Sequence, residues 1–134
     1  MKQAVLDTDT VSFFFRGIPQ VVSKADQYIV NHGFINISVI TYYEVLNGLF
    51  YKDAKKQLEK FDEFVRLNNV LPLTQEAATV SAKIFADLKQ GGNVIGHNDV
   101  LIAGVALEND MVVVTNNTNH FGRIDGLEID NWIL

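Results

Sequence analysis

Residues 100–114, VLIAGVALENDMVVV, are the stretch that decides the fold class. The part from Val100 to Leu107 is apolar on every side of a helix, which is typical of a helix buried in the interior. Met111 to Val114 is apolar throughout, as in a strand of a parallel sheet that is covered on both faces. A buried helix that leads into such a strand predicts an α/β architecture.

The segments on either side continue the alternation of strands and helices. Further strands are expected at Ala4–Leu6, Phe34–Ser38, Val70–Leu73 and Leu127–Ile129. Further helices are expected at Val11–Phe15, Pro19–Asn31, Val39–Phe50 and Lys52–Leu67, and from the cap Thr74 to Gln90. Pro72 cannot donate a hydrogen bond, so its strand should lie near an edge of the sheet. We therefore predict a three-layer α/β/α sandwich with a mainly parallel central sheet, as one domain over residues 1–134.

The composition limits the partners of this fold. A chain of 134 residues suits one domain, and 48% hydrophobic with 20% charged residues indicates that it folds. There are 11 Lys and Arg against 16 Asp and Glu, which gives a formal net charge of −5. This acidity argues against nucleic-acid binding by a broad basic surface, although it allows contact with phosphates through bound metal ions.

The absence of cysteine excludes disulfides, thiolate zinc sites and cysteine nucleophiles. It is consistent with the reducing cytoplasm, where we expect the protein to act. The opening residues MKQAVLDTDT do not resemble a signal peptide, and no later segment is apolar for long enough to cross a bilayer. We expect no membrane attachment.

Polar residues from four segments are expected at one edge of the sheet. Asp7 directly follows the first strand, and Glu44 lies about one turn into the helix after the second strand. Asp99 lies in the first turn of the buried helix, and Asn117 follows the strand that ends at Val114. Ligands of α/β folds bind beyond the carboxyl ends of parallel strands. Separated carboxylates that leave coordination positions open suit Mg²⁺ or Mn²⁺.

Each of these residues also has a purely structural interpretation. Asp7 could be a helix cap, and Asp99 could complement a helix dipole. Glu44 could be a solvated helix residue, and an asparagine such as Asn117 is common in loops. The joint pattern favours a metal site, because clustered carboxylates repel one another unless a cation is present.

Four segments together resemble the PIN-domain ribonucleases and, within them, the VapC-type toxins of bacterial and archaeal toxin–antitoxin pairs. The segments are VLDTDTVSFF (residues 5–14), ISVITYYEVLNG (37–48), VIGHNDVLIAGVAL (94–107) and VVVTNNTNHFGRIDGLEIDNW (112–132). They occur in the family's order and cover nearly the whole chain. The resemblance implies the PIN fold and a metal-dependent endoribonuclease that hydrolyses RNA phosphodiesters.

The resemblance also implies individual roles. Asp7, Glu44 and Asp99 match the three acidic metal positions of the family. Asn117 matches a fourth position that is often Asp, and its uncharged amide leaves open whether one or two Mg²⁺ or Mn²⁺ ions bind. His120 stands where relatives often have another acid, and it either contacts a phosphate or lies in a surface loop. Three supporting residues are implied as well, the hydroxyls of Thr8 and Thr115 and the carboxylate of Asp9, which would help to orient the site. The alternative is that these three are only caps and turn residues.

The implied partners are the RNA substrate, a VapB-type antitoxin protein and a second copy in a homodimer. Arg16 and Arg123 are near the site in sequence order and are candidate RNA contacts. Lys52, Lys56 and Lys60 lie on one helix face, where interleaved glutamates favour a solvated surface over an RNA-binding strip. Aromatic residues beyond the needs of the core could form a dimer face or a groove for the partner: Phe13–Phe15, Tyr42, Tyr43, Phe50 and Tyr51.

Two other classes of function stay open. Asn117 would fit a catalytically weak PIN-like scaffold that binds protein or RNA. Paired acids after a first strand also occur in phosphorylation-dependent signalling modules, which need a phosphoacceptor Asp at a later strand end and a lysine near the last strand. Here those strand ends carry Ser38 and Thr115, and no lysine follows Lys89, so this class ranks low.

Overall fold

The computed structural model describes every residue from Met1 to Leu134. The strands are β1 (Ala4–Leu6), β2 (Asn36–Ser38), β3 (Asn69–Leu71), β4 (Val112–Val114) and β5 (Ile129–Asp130). The helices are α1 (Thr8–Phe15), α2 (Pro19–His32), α3 (Val39–Tyr51), α4 (Lys55–Leu67), α5 (Gln75–Gln90), α6 (His97–Glu108) and α7 (Thr118–Phe121). No helix has both the length and the apolar character that a membrane span requires.

The five strands form one sheet in the order β3-β2-β1-β4-β5, and every neighbouring pair is parallel. The chain moves outward from β1 through β2 to β3 and then returns to the other side of β1 as β4. In the β1–β4 pair, Val5 lies beside Val113 and Leu6 beside Val114. Such a reversal of strand order opens a crevice beyond the carboxyl ends of the two strands.

Alternate side chains of the central strands enter two separate hydrophobic cores. Val5 and Val113 belong to the core beneath α5 and α6. Leu6 and Val114 belong to the core beneath α1, α2 and α4. Successive residues of a strand point to opposite faces, so these central strands, which are covered on both faces, are apolar throughout. The predicted three-layer sandwich is confirmed.

The structure refines the predicted elements. The sheet is wholly rather than mainly parallel, and β3 lies at its edge with Pro72 just beyond the strand. The helix expected from Lys52 begins instead at Lys55, after Asp53 takes a left-handed conformation with φ of 51°.

Two elements after β4 also differ from expectation. The short helix α7 was not predicted, since its four residues are too few to show a helical period. The last strand is Ile129–Asp130, so the expected segment Leu127–Ile129 is shifted toward higher residue numbers.

Helices α5 and α6 pack closely at Gly104. The Ser81 hydroxyl donates a hydrogen bond of 2.9 Å to the carbonyl oxygen of Val100 in the facing helix. A Cβ atom at position 104 would overlap the Ser81 hydroxyl and would lie 2.6 Å from the carbonyl oxygen of Ala77. Glycine therefore sets the distance between the two helices, and α6 carries Asp99.

Replacing Gly104 by alanine should therefore destabilise the fold. We expect Gly104→Ala to lower the free energy of unfolding by at least about 2 kcal/mol, since neither the Ala77 backbone nor the buried Ser81 can move aside. Gly48→Ala is the matched control, because a Cβ there meets nothing within 4 Å in the interior of α3. It should stabilise by about 0.5–1 kcal/mol. Urea unfolding measures both, and equal stability of the two variants would contradict the packing argument.

Candidate active site

Asp7 lies at the switch point of the sheet, directly after β1. Its backbone N–H donates to the carbonyl oxygen of Val114 over 3.0 Å, which ties the end of β1 to the end of β4. Its side chain caps α1, with Oδ1 accepting from the backbone N–H of Thr10 over 2.9 Å. The Asp7 carboxylate thus caps α1 and also belongs to the site. It has about four lone-pair positions, so it can still accept a ligand beside the Thr10 N–H.

The Asp7 carboxylate is buried, with only 4% of the residue exposed. Burial disfavours the charged form and raises its pKa to about 6, although hydrogen bonds from Thr115 and Thr10 act in the opposite direction. The negative charge of the nearby Asp9 carboxylate also raises the pKa of Asp7. A carboxylate in such an environment is stabilised by a cation far more than an exposed one would be.

Glu44 is held above the crevice by neighbours from three helices. The Thr8 hydroxyl donates to Glu44 Oε1 over 2.6 Å, and the Thr41 hydroxyl lies 3.2 Å from that of Thr8. Asn98 at the start of α6 donates from Nδ2 to Glu44 Oε2 over 3.2 Å. Thr8 thus contacts a predicted site carboxylate, and its role there stays a prediction, whereas Thr41 and Asn98 were not singled out from the sequence.

Asp99, Asn117 and His120 form a compact group on the other side of the crevice. Asp99 Oδ2 lies 3.4 Å from Asn117 Nδ2 and 3.3 Å from His120 Nδ1. The Asn117 and His120 nitrogens are 2.8 Å apart. The backbone N–H of Asn117 donates to Thr115 Oγ1 over 2.8 Å, which fixes the loop after β4. The turn of α7 thus brings His120 back to Asp99, a contact that spacing in the sequence does not reveal.

The acids of the crevice act on one another electrostatically. The pKa of Asp99 is raised, chiefly by burial and also by the charges of Glu44 and Asp9, while His120 lowers it. Asp9 itself is exposed and makes no side-chain hydrogen bond, so it acts through its charge. The charge of Asp9 thus acts on both Asp7 and Asp99, and that of Glu44 acts on Asp99.

A groove of about 430 Å³ continues from Glu44 along α1, α3 and α4. Its walls include the apolar side chains of Phe15, Leu49 and Phe61. Three cationic residues line the same groove: Arg16, Lys52 and Lys60. Arg16 thus lines the same groove as Glu44. Arg123 is exposed, and only its backbone bonds to a site residue, with the N–H donating to the carbonyl oxygen of His120 over 3.2 Å.

The aromatic residues singled out from the sequence divide into two groups. Phe14 and Phe15 pack against Phe64 with ring centroids 5.8 and 5.3 Å apart, so they belong to the core and the groove. Phe50 and Tyr51 at the end of α3 are 64% and 90% exposed. This second group, to which the 61% exposed Tyr43 also belongs, is free to contact another chain.

The donor chemistry at the crevice fits a hard divalent cation. Asp7, Glu44 and Asp99 supply carboxylate oxygens and Asn117 an amide, which are the ligand types that Mg²⁺ and Mn²⁺ prefer. The burial of Asp7 and the mutual repulsion of the acids would both be relieved by such an ion. No three acidic or histidine side chains converge on one point, so the four residues are assigned as a donor set without a coordination geometry.

Nearly the whole chain is similar to known proteins of one family. Residues 4–127 match the family model described as PIN domain. The chain is 32% identical over 133 residues to the tRNA(fMet)-specific endonuclease VapC of Shigella flexneri, covering 98% of this chain and 99% of that protein. The DNA-bound VapBC structure from Salmonella typhimurium is similar, with a TM-score of 0.88 and 32% identity over 98% of this chain and 99% of that one.

A second solved structure gives the same result. VapBC2 from Rickettsia felis, bound to a DNA fragment from their promoter, is similar with a TM-score of 0.86 and 27% identity, over 96% of this chain and 98% of that one. The chain therefore belongs to the PIN-domain family. Within that family its similarity is to the VapC ribonucleases, which confirms the resemblance drawn from the sequence.

The buried Asp7 makes stability depend on pH when no divalent ion is present. The Asp7 carboxyl has a pKa of about 6 in the folded protein, against 3.8 for a free side chain. Because the folded state holds the proton more tightly than the unfolded state, the contribution of Asp7 to stability falls as pH rises from about 4 to above 6. Asp7→Asn removes that penalty and keeps an oxygen for the Thr10 cap. We expect the variant to be more stable than wild type at pH 7.5 by up to about 3 kcal/mol.

Urea unfolding in a chelator between pH 4 and 8 measures this difference, which should shrink toward zero at the acidic end. Asp26→Asn, at an exposed position of α2, is the control and should show no such pH-dependent gain. A wild type that is at least as stable as Asp7→Asn at pH 7.5 would contradict the burial cost of the carboxylate.

Proposed function

We propose that this protein is a metal-dependent endoribonuclease that acts in the cytoplasm as the toxin of a toxin–antitoxin pair. The observation that carries the proposal is the buried Asp7 carboxylate at the β1–β4 switch point, with Glu44 and Asp99 on the adjoining helices. Its VapC relatives, one of them an endonuclease specific for tRNA(fMet), support RNA as the substrate class.

Each site residue has a definite part in this proposal. Bound Mg²⁺ or Mn²⁺, as one or two ions, would supply the charge that polarises a phosphodiester and lowers the pKa of a water. Asp7 is the buried charged ligand, Asp99 is a partly buried one, and Asn117 adds a neutral amide oxygen. Glu44 completes the set in an orientation held by Thr8 and Asn98.

The chain's own hydrogen bonds prepare these ligands. The backbone N–H of Thr10 fixes the Asp7 carboxylate, and Thr115 both acts on Asp7 and holds the Asn117 backbone. Ligands held in place by their neighbours need no rearrangement when phosphate charge develops, which is the condition for strong electrostatic stabilisation.

The cationic groove would hold the RNA strand on one side of the scissile bond. Arg16, Lys52 and Lys60 line it together with Thr8 and Glu44, so phosphates lying there lead directly to the acids. Phe15, which is 39% exposed, offers aromatic surface to the bases along the same path. A short basic groove allows an acidic protein to bind RNA locally although its net charge is −5.

The proposed protein partner is a VapB-type antitoxin, because the solved relatives are VapBC structures. The exposed Phe50 and Tyr51 at the end of α3 provide apolar surface for a partner or for a second copy of the chain. The homodimer stays a prediction, and sedimentation of the purified protein measures it.

A catalytically weak PIN-like scaffold is the second candidate. Two observations favour it, the uncharged Asn117 at the fourth ligand position and the lack of three acidic or histidine side chains around one point. Calorimetry separates the two functions. The scaffold requires no binding of millimolar Mn²⁺ together with tight binding to a protein partner, whereas the enzyme requires metal binding.

Cleavage of RNA should depend on both the metal and the buried acids. We expect the purified protein to cleave structured RNA with Mg²⁺ or Mn²⁺, and Asp7→Asn and Asp99→Asn each to lose at least about a hundredfold in rate, since each removes one charge that would hold the ion. Asp26→Asn removes the same charge from the exposed surface of α2 and should retain full activity. Equal cleavage by all variants would refute the assigned site.

Loss of the groove lysines should weaken RNA binding without changing the chemistry. We expect Lys52→Gln combined with Lys60→Gln to raise KM several-fold at unchanged kcat, and to reduce the salt dependence of binding by about 0.7 in slope for each lysine that neutralises a phosphate. The double change Lys55→Gln and Lys56→Gln is the control, since it removes two exposed charges from α4 outside the groove. Equal effects of the two pairs would contradict the proposed path.

A further inference from the structure

Three donor groups at the crevice lie at the mutual spacing of ligands on one metal ion. The three distances among Asp99 Oδ2, Asn117 Nδ2 and His120 Nδ1 are 2.8, 3.3 and 3.4 Å. Donor atoms about 2.1–2.2 Å from one ion and at right angles to each other are about 3 Å apart. The triangle therefore has the size of one face of a coordination octahedron.

Hydrogen bonds can form along at most two of the three edges of this triangle. If the amide of Asn117 donates to both neighbours, the lone pair of His120 Nδ1 faces the Asp99 carboxylate. If His120 Nδ1 carries a proton and donates to Asp99, its N–H faces the Asn117 amide N–H group instead. In either arrangement the third edge pairs two donors or two acceptors, so hydrogen bonding does not stabilise that contact.

A cation at the centre of the triangle removes the conflict. A half-turn of the Asn117 amide exchanges its nitrogen and oxygen with almost no change in shape. Asp99 Oδ2, Asn117 Oδ1 and an unprotonated His120 Nδ1 would then all present lone pairs to the same point. The negative charges of Glu44 and Asp9, which act on Asp99, add to the attraction.

We infer that His120 is a nitrogen ligand of a divalent ion that it shares with Asp99 and Asn117, and that this site selects Mn²⁺ or another transition metal over Mg²⁺. The inference rests on the proposed function of the crevice and names the ion that it uses. Imidazole nitrogen is a good ligand for transition metals, whereas Mg²⁺ prefers oxygen and keeps its water. A carboxylate at this position would not discriminate in that way, because it offers oxygen to both ions.

Pulsed electron spin resonance of the Mn²⁺-loaded protein tests the inference directly. We expect a nitrogen coupling from an imidazole in wild type, with the frequency shift that ¹⁵N-histidine labelling produces. The coupling should disappear in His120→Gln and in His120→Glu, and it should persist in His97→Gln, whose ring stacks on Phe85 at 4.2 Å between centroids. Absence of the coupling in wild type, or its persistence in the folded His120 variants, would overturn the inference.

Calorimetry provides an independent readout. We expect His120→Gln to bind Mn²⁺ at least about tenfold more weakly and Mg²⁺ within about twofold of wild type. His120→Glu should lose the preference for Mn²⁺ because it offers oxygen to both ions. If the His120 variants do not fold, the labelled wild-type spectrum still decides.

The failure of this inference and that of the proposed function have different signatures. Cleavage of RNA by a Mn²⁺-loaded protein without nitrogen coupling overturns the role of His120 alone. If the protein neither binds Mg²⁺ or Mn²⁺ nor cleaves RNA with either ion, both the inference and the proposed function are overturned.

Discussion

The parallel pairing of β1 with β4 is the constraint on which the rest of the structure depends. It places the end of β1, and with it Asp7, beside the end of β4, where the Asp7 backbone bonds to Val114. The same pairing reverses the strand order and opens the crevice that α3 and α6 then line with acids. Both hydrophobic cores meet on these two strands, so the site is anchored to the most rigid part of the molecule.

The site concentrates unfavourable electrostatics in a fold that is otherwise regular. Burial raises the pKa of Asp7, and the pKa of Asp99 is raised by burial and by its acidic neighbours. The two strands that lead into the site, β1 and β4, carry only apolar side chains. Stability and function therefore oppose each other at Asp7, which is typical of residues selected for binding a charged ligand.

The sequence predicts those features that follow from local pattern. The apolar helix and strand of residues 100–114 are unmistakable, and residues directly after strands, such as Asp7, can be assigned to the edge of the sheet. The return of His120 to Asp99 could not be predicted, because α7 is one turn long. The distinction between Lys60 and Lys56 depends on how α4 is rotated against α1 and α3, which no pattern within α4 reveals. The assigned roles of the site residues stay predictions.

The strands β1 and β4 are far apart in the sequence, and this has a consequence for folding during synthesis. Thr10 Oγ1 bonds to the carbonyl oxygen of Val114, 104 positions further along the chain. While the ribosome is still making the intervening residues, β1 can pair only with β2. The residues of the site that lie on α6 and after β4 are then still missing. The nascent chain thus has no assembled active site, and its chemistry can begin only after β4 has emerged and inserted beside β1.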